Sequence, residues 1–114
     1  MTLLGAQALE AAFAAAASGG GSKMLGRDPL VQMLGYAWAR GYVVDAIEVY
    51  ELKDDLEYPQ VDLTLLGGDL VRETLGMTPE AMTAHILGAV EETITAADRL
   101  GFPAGFQVWL TPAP

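Results

Sequence analysis

The chain contains no cysteine, which excludes disulfides, thiolate metal sites and cysteine nucleophiles. The lack of disulfides fits a reducing compartment, so we expect a cytoplasmic protein. Basic residues are also scarce, since six Lys and Arg stand against fifteen Asp and Glu, a formal net charge of -9. Nucleic acids and anionic membranes attract clustered cations, and we therefore expect neither as a partner.

Long apolar runs are missing as well. No uninterrupted stretch approaches the ~18 residues that a membrane span requires. Residues 3–17 have the composition of a signal-peptide core, but no Lys or Arg precedes them and Glu10 interrupts them, which argues against a secretory signal.

Catalytic signatures are equally sparse. His85 is the only histidine, and on a helix it lies at the border of the apolar face. Glu92 is two turns away, about 10 Å along the axis, which is too far for the carboxylate partner of a general base. The sequence gives no other enzyme signature, so an enzyme or ligand-binding domain using His85 with neighbouring carboxylates is the alternative hypothesis only.

Acidic residues are frequent in the predicted turn after the first strand and at the start of the strand that follows it. Asp54, Asp55, Glu57 and Asp62 are close in sequence, and carboxylates bind hard cations. However, the spacing is not that of an EF-hand and no glycine lies inside the loop. We interpret the cluster as a solvated hairpin loop, and we predict no metal and no cofactor.

The chain does have enough apolar residues for one core. Its 114 residues are typical of a single domain, and 52% of them are hydrophobic. That fraction is high for a small protein, which suggests that another chain covers part of the apolar surface.

Composition divides the chain into three segments. Residues 1–17 are rich in alanine and are predicted to form a helix. Residues 18–26 have the Gly/Ser composition of a flexible linker, either natural or introduced by fusion, so the helix would be tethered. It could fold back, pack on a neighbouring copy or dock elsewhere. Residues 27–114 are predicted to form the compact domain.

Residue patterns predict the elements of that domain. Asp28 and Pro29 indicate a helix start, with Asp28 as the N-cap, and Gly41 lies just beyond its end. A strand follows over residues 42–53, and a bulge near Asp45 would reconcile its irregular alternation of acidic residues. A turn over residues 54–59 then leads to a second strand at 61–65.

The second half of the domain is predicted to contain a helical crossover that connects the second strand to the last one. A short helix is expected over residues 69–75. Thr78 and Pro79 open the longest helix, which Gly101 ends. Residues 106–111 alternate in polarity, as expected for a last strand.

Together these elements predict an α+β fold. The first two strands form an antiparallel hairpin, and the helical crossover brings the third strand beside the first, which gives sheet order 2-1-3. Two main helices cover one face, in a two-layer sandwich preceded by the tethered N-terminal helix.

The sheet face opposite the helices is the predicted contact surface. Trp109 should point to this face, because its strand neighbours point to the helices. The residues that we expect at a protein interface are Trp109, Gln107, Thr111, Thr64 and Asp62 on this face, with Leu9 and Phe13 of the N-terminal helix as a second contact.

The sequence therefore favours a small acidic structural or adaptor protein. It would act by protein–protein contact, with itself as a homo-oligomer through the open sheet face, or with a basic protein partner. Phage and bacterial accessory proteins are often of this kind, which is an association by fold size and charge alone.

Overall fold

The computed structural model describes residues 3–59, 65–66, 76–101 and 103–112. The predicted α+β fold is confirmed. The elements in chain order are α1 (Ala6–Ala17), α2 (Arg27–Trp38), β1 (Tyr42–Lys53), β2 (Leu56–Pro59), β3 (Leu65–Leu66), α3 (Pro79–Leu100) and β4 (Ala104–Pro112). The short helix predicted over residues 69–75 lies outside the described residues.

Strand β1 is the centre of the sheet. It pairs antiparallel with β2 and β3 on one side and with β4 on the other. The predicted order, in which the first strand lies between its hairpin partner and the last strand, is therefore confirmed. The length of β1 is explained by its run of Val, Ile and Tyr, whose branched and aromatic side chains suit a pleated surface.

The hairpin turn is tighter than predicted. It consists of Asp54 and Asp55 alone, with φ of 53° and 64°, and β2 already begins at Leu56. Left-handed conformations at both central positions match the twist of paired strands, and aspartate tolerates them better than most residues. The turn was predicted to extend to Pro59, but Pro59 belongs to β2, and an edge strand tolerates proline.

A β-bulge lies at Asp45, as predicted. Val44 is opposite Leu110, whereas Ala46 is already opposite Trp109, so Asp45 is the extra residue of β1. It is exposed, and the bulge lets Val44 join the buried face of the sheet despite the irregular spacing.

The three helices of the described residues contribute to one hydrophobic core on one face of the sheet, which confirms the two-layer arrangement. The helices supply mainly small and aliphatic side chains, and β1 and β4 supply the sheet side of the core. Its buried members are Ala12, Ala16, Leu25, Leu30, Met33, Leu34, Ala37, Val44, Ile47, Val49, Ile86, Val90, Phe106, Val108 and Leu110.

The predicted caps at both ends of α3 are present, whereas the predicted N-cap of α2 is wrong. The Thr78 side chain accepts a hydrogen bond from the Ala81 N–H at 3.2 Å, and Gly101 ends α3 with φ of 79°. Asp28 is not the N-cap of α2, because Gly26 holds that position and accepts from the Leu30 N–H at 3.0 Å. Asp28 lies instead in the first turn, where a negative charge favours the helix dipole.

The hairpin turn can be tested by replacing Asp54 and Asp55 with Asn and Gly. We expect the free energy of unfolding to rise by about 1 kcal/mol, because Asn-Gly adopts this turn with less strain. Urea denaturation measures the change. The control D54N/D55A should be less stable than D54N/D55G, since alanine disfavours positive φ. Equal stability of the two variants would contradict the turn geometry.

Candidate functional site

The Gly/Ser segment divides into two parts with different surroundings. Residues 18–21, which we call the hinge, are largely exposed. Residues 22–25, which we call the strap, include the buried Ser22 and Leu25. The segment that was predicted to be flexible throughout thus has one half fixed against the domain.

The strap runs antiparallel along the outer edge of β4. Leu25 and Phe106 exchange two backbone hydrogen bonds of 2.8 Å, and the Ser22 N–H donates to the Val108 carbonyl at 2.9 Å. The Val108 N–H in turn donates to the Ser22 hydroxyl oxygen at 3.0 Å. These bonds satisfy β4 backbone groups that would otherwise form an open sheet edge.

The N-terminal arm, residues 3–17, folds back onto its own domain. The Phe13 ring meets Tyr36 and Tyr42 edge to face, with centroid distances of 5.4 and 5.0 Å. The Gln32 amide holds Leu4 from both sides, since its Oε1 accepts from the Leu4 N–H and its Nε2 donates to the Leu4 carbonyl, each at 2.9 Å. Of the three arrangements that the sequence left open, the structure thus has the one in which the helix folds back on its own domain.

Trp109 and Gln107 lie side by side on the sheet face opposite the described helices, which we call the open face, and both are half-buried. Gly21 of the hinge lies directly against them. A Cβ at Gly21 would stand 2.6 Å from Trp109 Cε2 and 2.9 Å from Gln107 Nε2, so only glycine fits here without movement. Part of the indole is therefore sheltered by its own chain.

The remaining predicted contact residues are separated in space. Thr111 lies on β4 and is half-buried. Leu9 and Phe13 pack against the core in the helix layer, on the opposite side of the sheet from Trp109. Thr64 and Asp62 lie outside the described residues. The structure thus brings only part of the predicted set together.

A polar network borders Trp109 that sequence reasoning did not identify. The Tyr50 hydroxyl donates to the Glu48 carboxylate and also lies 3.2 Å from Gln107 Oε1. The hydrogen bond to Glu48 and partial burial raise the pKa of Tyr50 to about 12. The signal was available in the i, i+2 spacing of Glu48 and Tyr50, which puts both on one face of β1.

The strap also reaches the open face beside this network. A Cβ at Gly105 would stand 2.6 Å from Met24 Cγ and 3.1 Å from Leu52 Cδ1, so Met24 crosses β4 at a glycine, and Leu52 lies on the same side of the sheet. Among the described residues, the open face is thus a mixed surface that includes the aromatic side chains of Trp109 and Tyr50 and the aliphatic side chains of Met24, Leu52 and the buried Val43.

His85 and the carboxylates of the hairpin turn, the candidates for other chemistry, lie on separate elements of the described structure. His85 is half-buried on α3, and the acidic residues of the hairpin turn are exposed. No group of three or more metal-ligating side chains occurs within the part of the chain that is described.

Family models, curated proteins and solved structures were compared with the chain, and none of them matches. Within the described residues, no helix has both the length and the apolar character to cross a membrane.

The contact of Gly21 with Trp109 can be tested with two alanine variants. G21A should be less stable than wild type by about 2–3 kcal/mol, because strain at positive φ and a clash with the indole add together. G19A is the matched control, since Gly19 also has positive φ but a Cβ there would meet no atom within 4 Å. Denaturation followed by tryptophan fluorescence should show a smaller loss, about 1 kcal/mol, for G19A. Equal losses would contradict the close contact.

The hydrogen bonds of Tyr50 predict that its hydroxyl loses its proton only at strongly alkaline pH. A tyrosine whose pKa is raised in the folded state holds its proton more tightly than in the unfolded chain. Its contribution to stability is therefore complete below pH ~10 and is lost as the pH rises to about 12. Absorbance at alkaline pH should show a step near 12 that Y50F removes, and persistence of that step in Y50F would contradict the assignment.

Proposed function

We propose that the protein is a small acidic structural or adaptor protein that acts by protein–protein contact through its open sheet face. A second copy of the chain is the proposed partner at that face, and a basic protein is the alternative occupant. The protein would act in the cytoplasm, as the absence of cysteine suggests.

The observation that carries this proposal is the one-sided arrangement of the described helices. The three described helices all contribute to the core on one side of the sheet. On the other side, Trp109, Tyr50 and Gln107 are only half-buried. Tyrosine and tryptophan are enriched at protein interfaces because each combines a large apolar area with one polar group.

A symmetric pair of open faces would match like surface with like surface, as a two-fold interface requires. The Tyr50 hydroxyl, the Gln107 amide and the Glu48 carboxylate offer both donors and acceptors for such a pair. The charge of -9 per chain opposes it. Because salt screens that repulsion, self-association should strengthen as the salt concentration rises, whereas binding of a basic partner should weaken.

The proposal is tested by the mass of the protein in solution. The chain has a mass of 12.0 kDa, and we expect sedimentation equilibrium to give a higher mass at high concentration. Gln107→Glu keeps the side-chain shape but adds a charge beside Glu48, so self-association should weaken by about tenfold, or ~1.4 kcal/mol.

Gln7→Glu is the matched control, because it makes the same change at an exposed position of α1. The Gln7→Glu variant should show the same apparent mass in sedimentation equilibrium as the wild-type protein. A wild-type protein that remains monomeric at the highest concentration would overturn self-association. An equal loss in both variants would show that overall charge, and not the open face, controls it.

A further inference from the structure

We propose that the N-terminal arm is exchangeable, so that the arm of one chain docks on the domain of a second copy and a reciprocally exchanged dimer forms. This goes beyond the proposed function, because the contacts lie in the helix layer and not on the open face. The partner is a second copy, since the docking site on each domain already fits this arm.

The contacts of the arm define the docking site. Phe13 inserts between the Tyr36 and Tyr42 rings, and Gln32 holds the Leu4 backbone with two hydrogen bonds. Ala12 and Ala16 are buried in the core of the domain. The hinge takes part in none of these contacts, so all of them can form equally well between two chains.

The arm has little stability of its own. Helix α1 has only 12 residues, and its first turn lacks an acidic residue and a side-chain cap. An isolated alanine-rich helix of that length is marginal in water. The arm therefore depends on docking for its structure. The interactions lost when it undocks are mainly those that it regains by docking on a second copy.

The hinge separates the arm from parts that stay in place. Strap residues Ser22 and Leu25 are bound to β4, so the chain is fixed at both of these points. Between the strap and α1 lie four hinge residues, which include Gly19 and Gly21 with φ of 92° and 78°. Only glycine adopts such values freely, which identifies the hinge as the place where the chain can open.

Hinge length then controls the balance between the two forms. In the monomer a short linker gives the arm an effective concentration on the order of millimolar, so the closed form dominates in dilute solution. Five peptide steps from Ala17 to Ser22 span at most ~18 Å, and removing two residues leaves ~11 Å. A hinge too short to reverse the chain favours exchange between copies.

The experiment is to delete Gly19 and Gly20 from the full chain. We expect the variant to be folded by circular dichroism and to raise the dimer fraction at least about tenfold over wild type. Insertion of two glycines after Gly20 is the control, and it should lower the dimer fraction. A folded variant that is monomeric would overturn the proposal.

The exchange itself is read from contacts between labelled and unlabelled copies. Equal amounts of isotope-labelled and unlabelled protein are unfolded together and refolded at high concentration, for the deletion variant and for wild type. An isotope-filtered NOE between the Phe13 and Tyr42 rings can then arise only from exchanged arms. Its presence in either protein supports the proposal, and its absence from both overturns it, even if the deletion variant fails to fold.

The filtered NOE reports on contacts in the helix layer and not on contacts through the open face. An exchanged dimer should survive Gln107→Glu in the deletion variant, because the arm contacts are in the helix layer. A dimer that this change dissociates, and that shows no filtered NOE, would instead be one formed through the open face. The two proposals can therefore fail separately.

Discussion

The backbone pairing of the strap with β4 is the interaction on which the rest of the structure depends. It fixes the chain at Ser22 and Leu25, and these two points determine where α1 can dock. It also places Leu25 in the core and Met24 on the open face, on opposite sides of β4. Each net hydrogen bond contributes about 0.5–1.5 kcal/mol, and the buried apolar side chains must supply the rest of the cost of ordering this segment.

The sheet protects its two edges by different means. At one edge, β2 is short and exposed, and it carries Glu57 and Pro59, both of which discourage further pairing. At the other edge, the strap satisfies the outward backbone groups of Phe106 and Val108. Within the described residues, both edges of the sheet thus carry features that discourage pairing with a further strand.

Local patterns were sufficient for much of the fold. The bounds of β1, the bulge at Asp45 and the Thr78 cap all follow from short-range chemistry, namely branched residues, broken alternation and a capping side chain. Alternation along β4 also predicted that Trp109 and Gln107 share the open face. The strap could not be predicted, because Gly/Ser composition indicates conformational freedom, and its partner Phe106 is far away in sequence. The spacing of Glu48 and Tyr50 places both on one face of β1, whereas the contact of Tyr50 with Gln107 depends on the cross-strand register, which the bulge shifts.

Amide hydrogen exchange of the native protein tests this account most directly. If the strap is a permanent part of the sheet, the amides of Ser22, Leu25, Phe106 and Val108 should exchange as slowly as those at the centre of β1. If these four amides exchange at the rate of an unstructured chain while β1 remains protected, the strap does not hold the edge of β4. The docked arm would then have no fixed point of attachment.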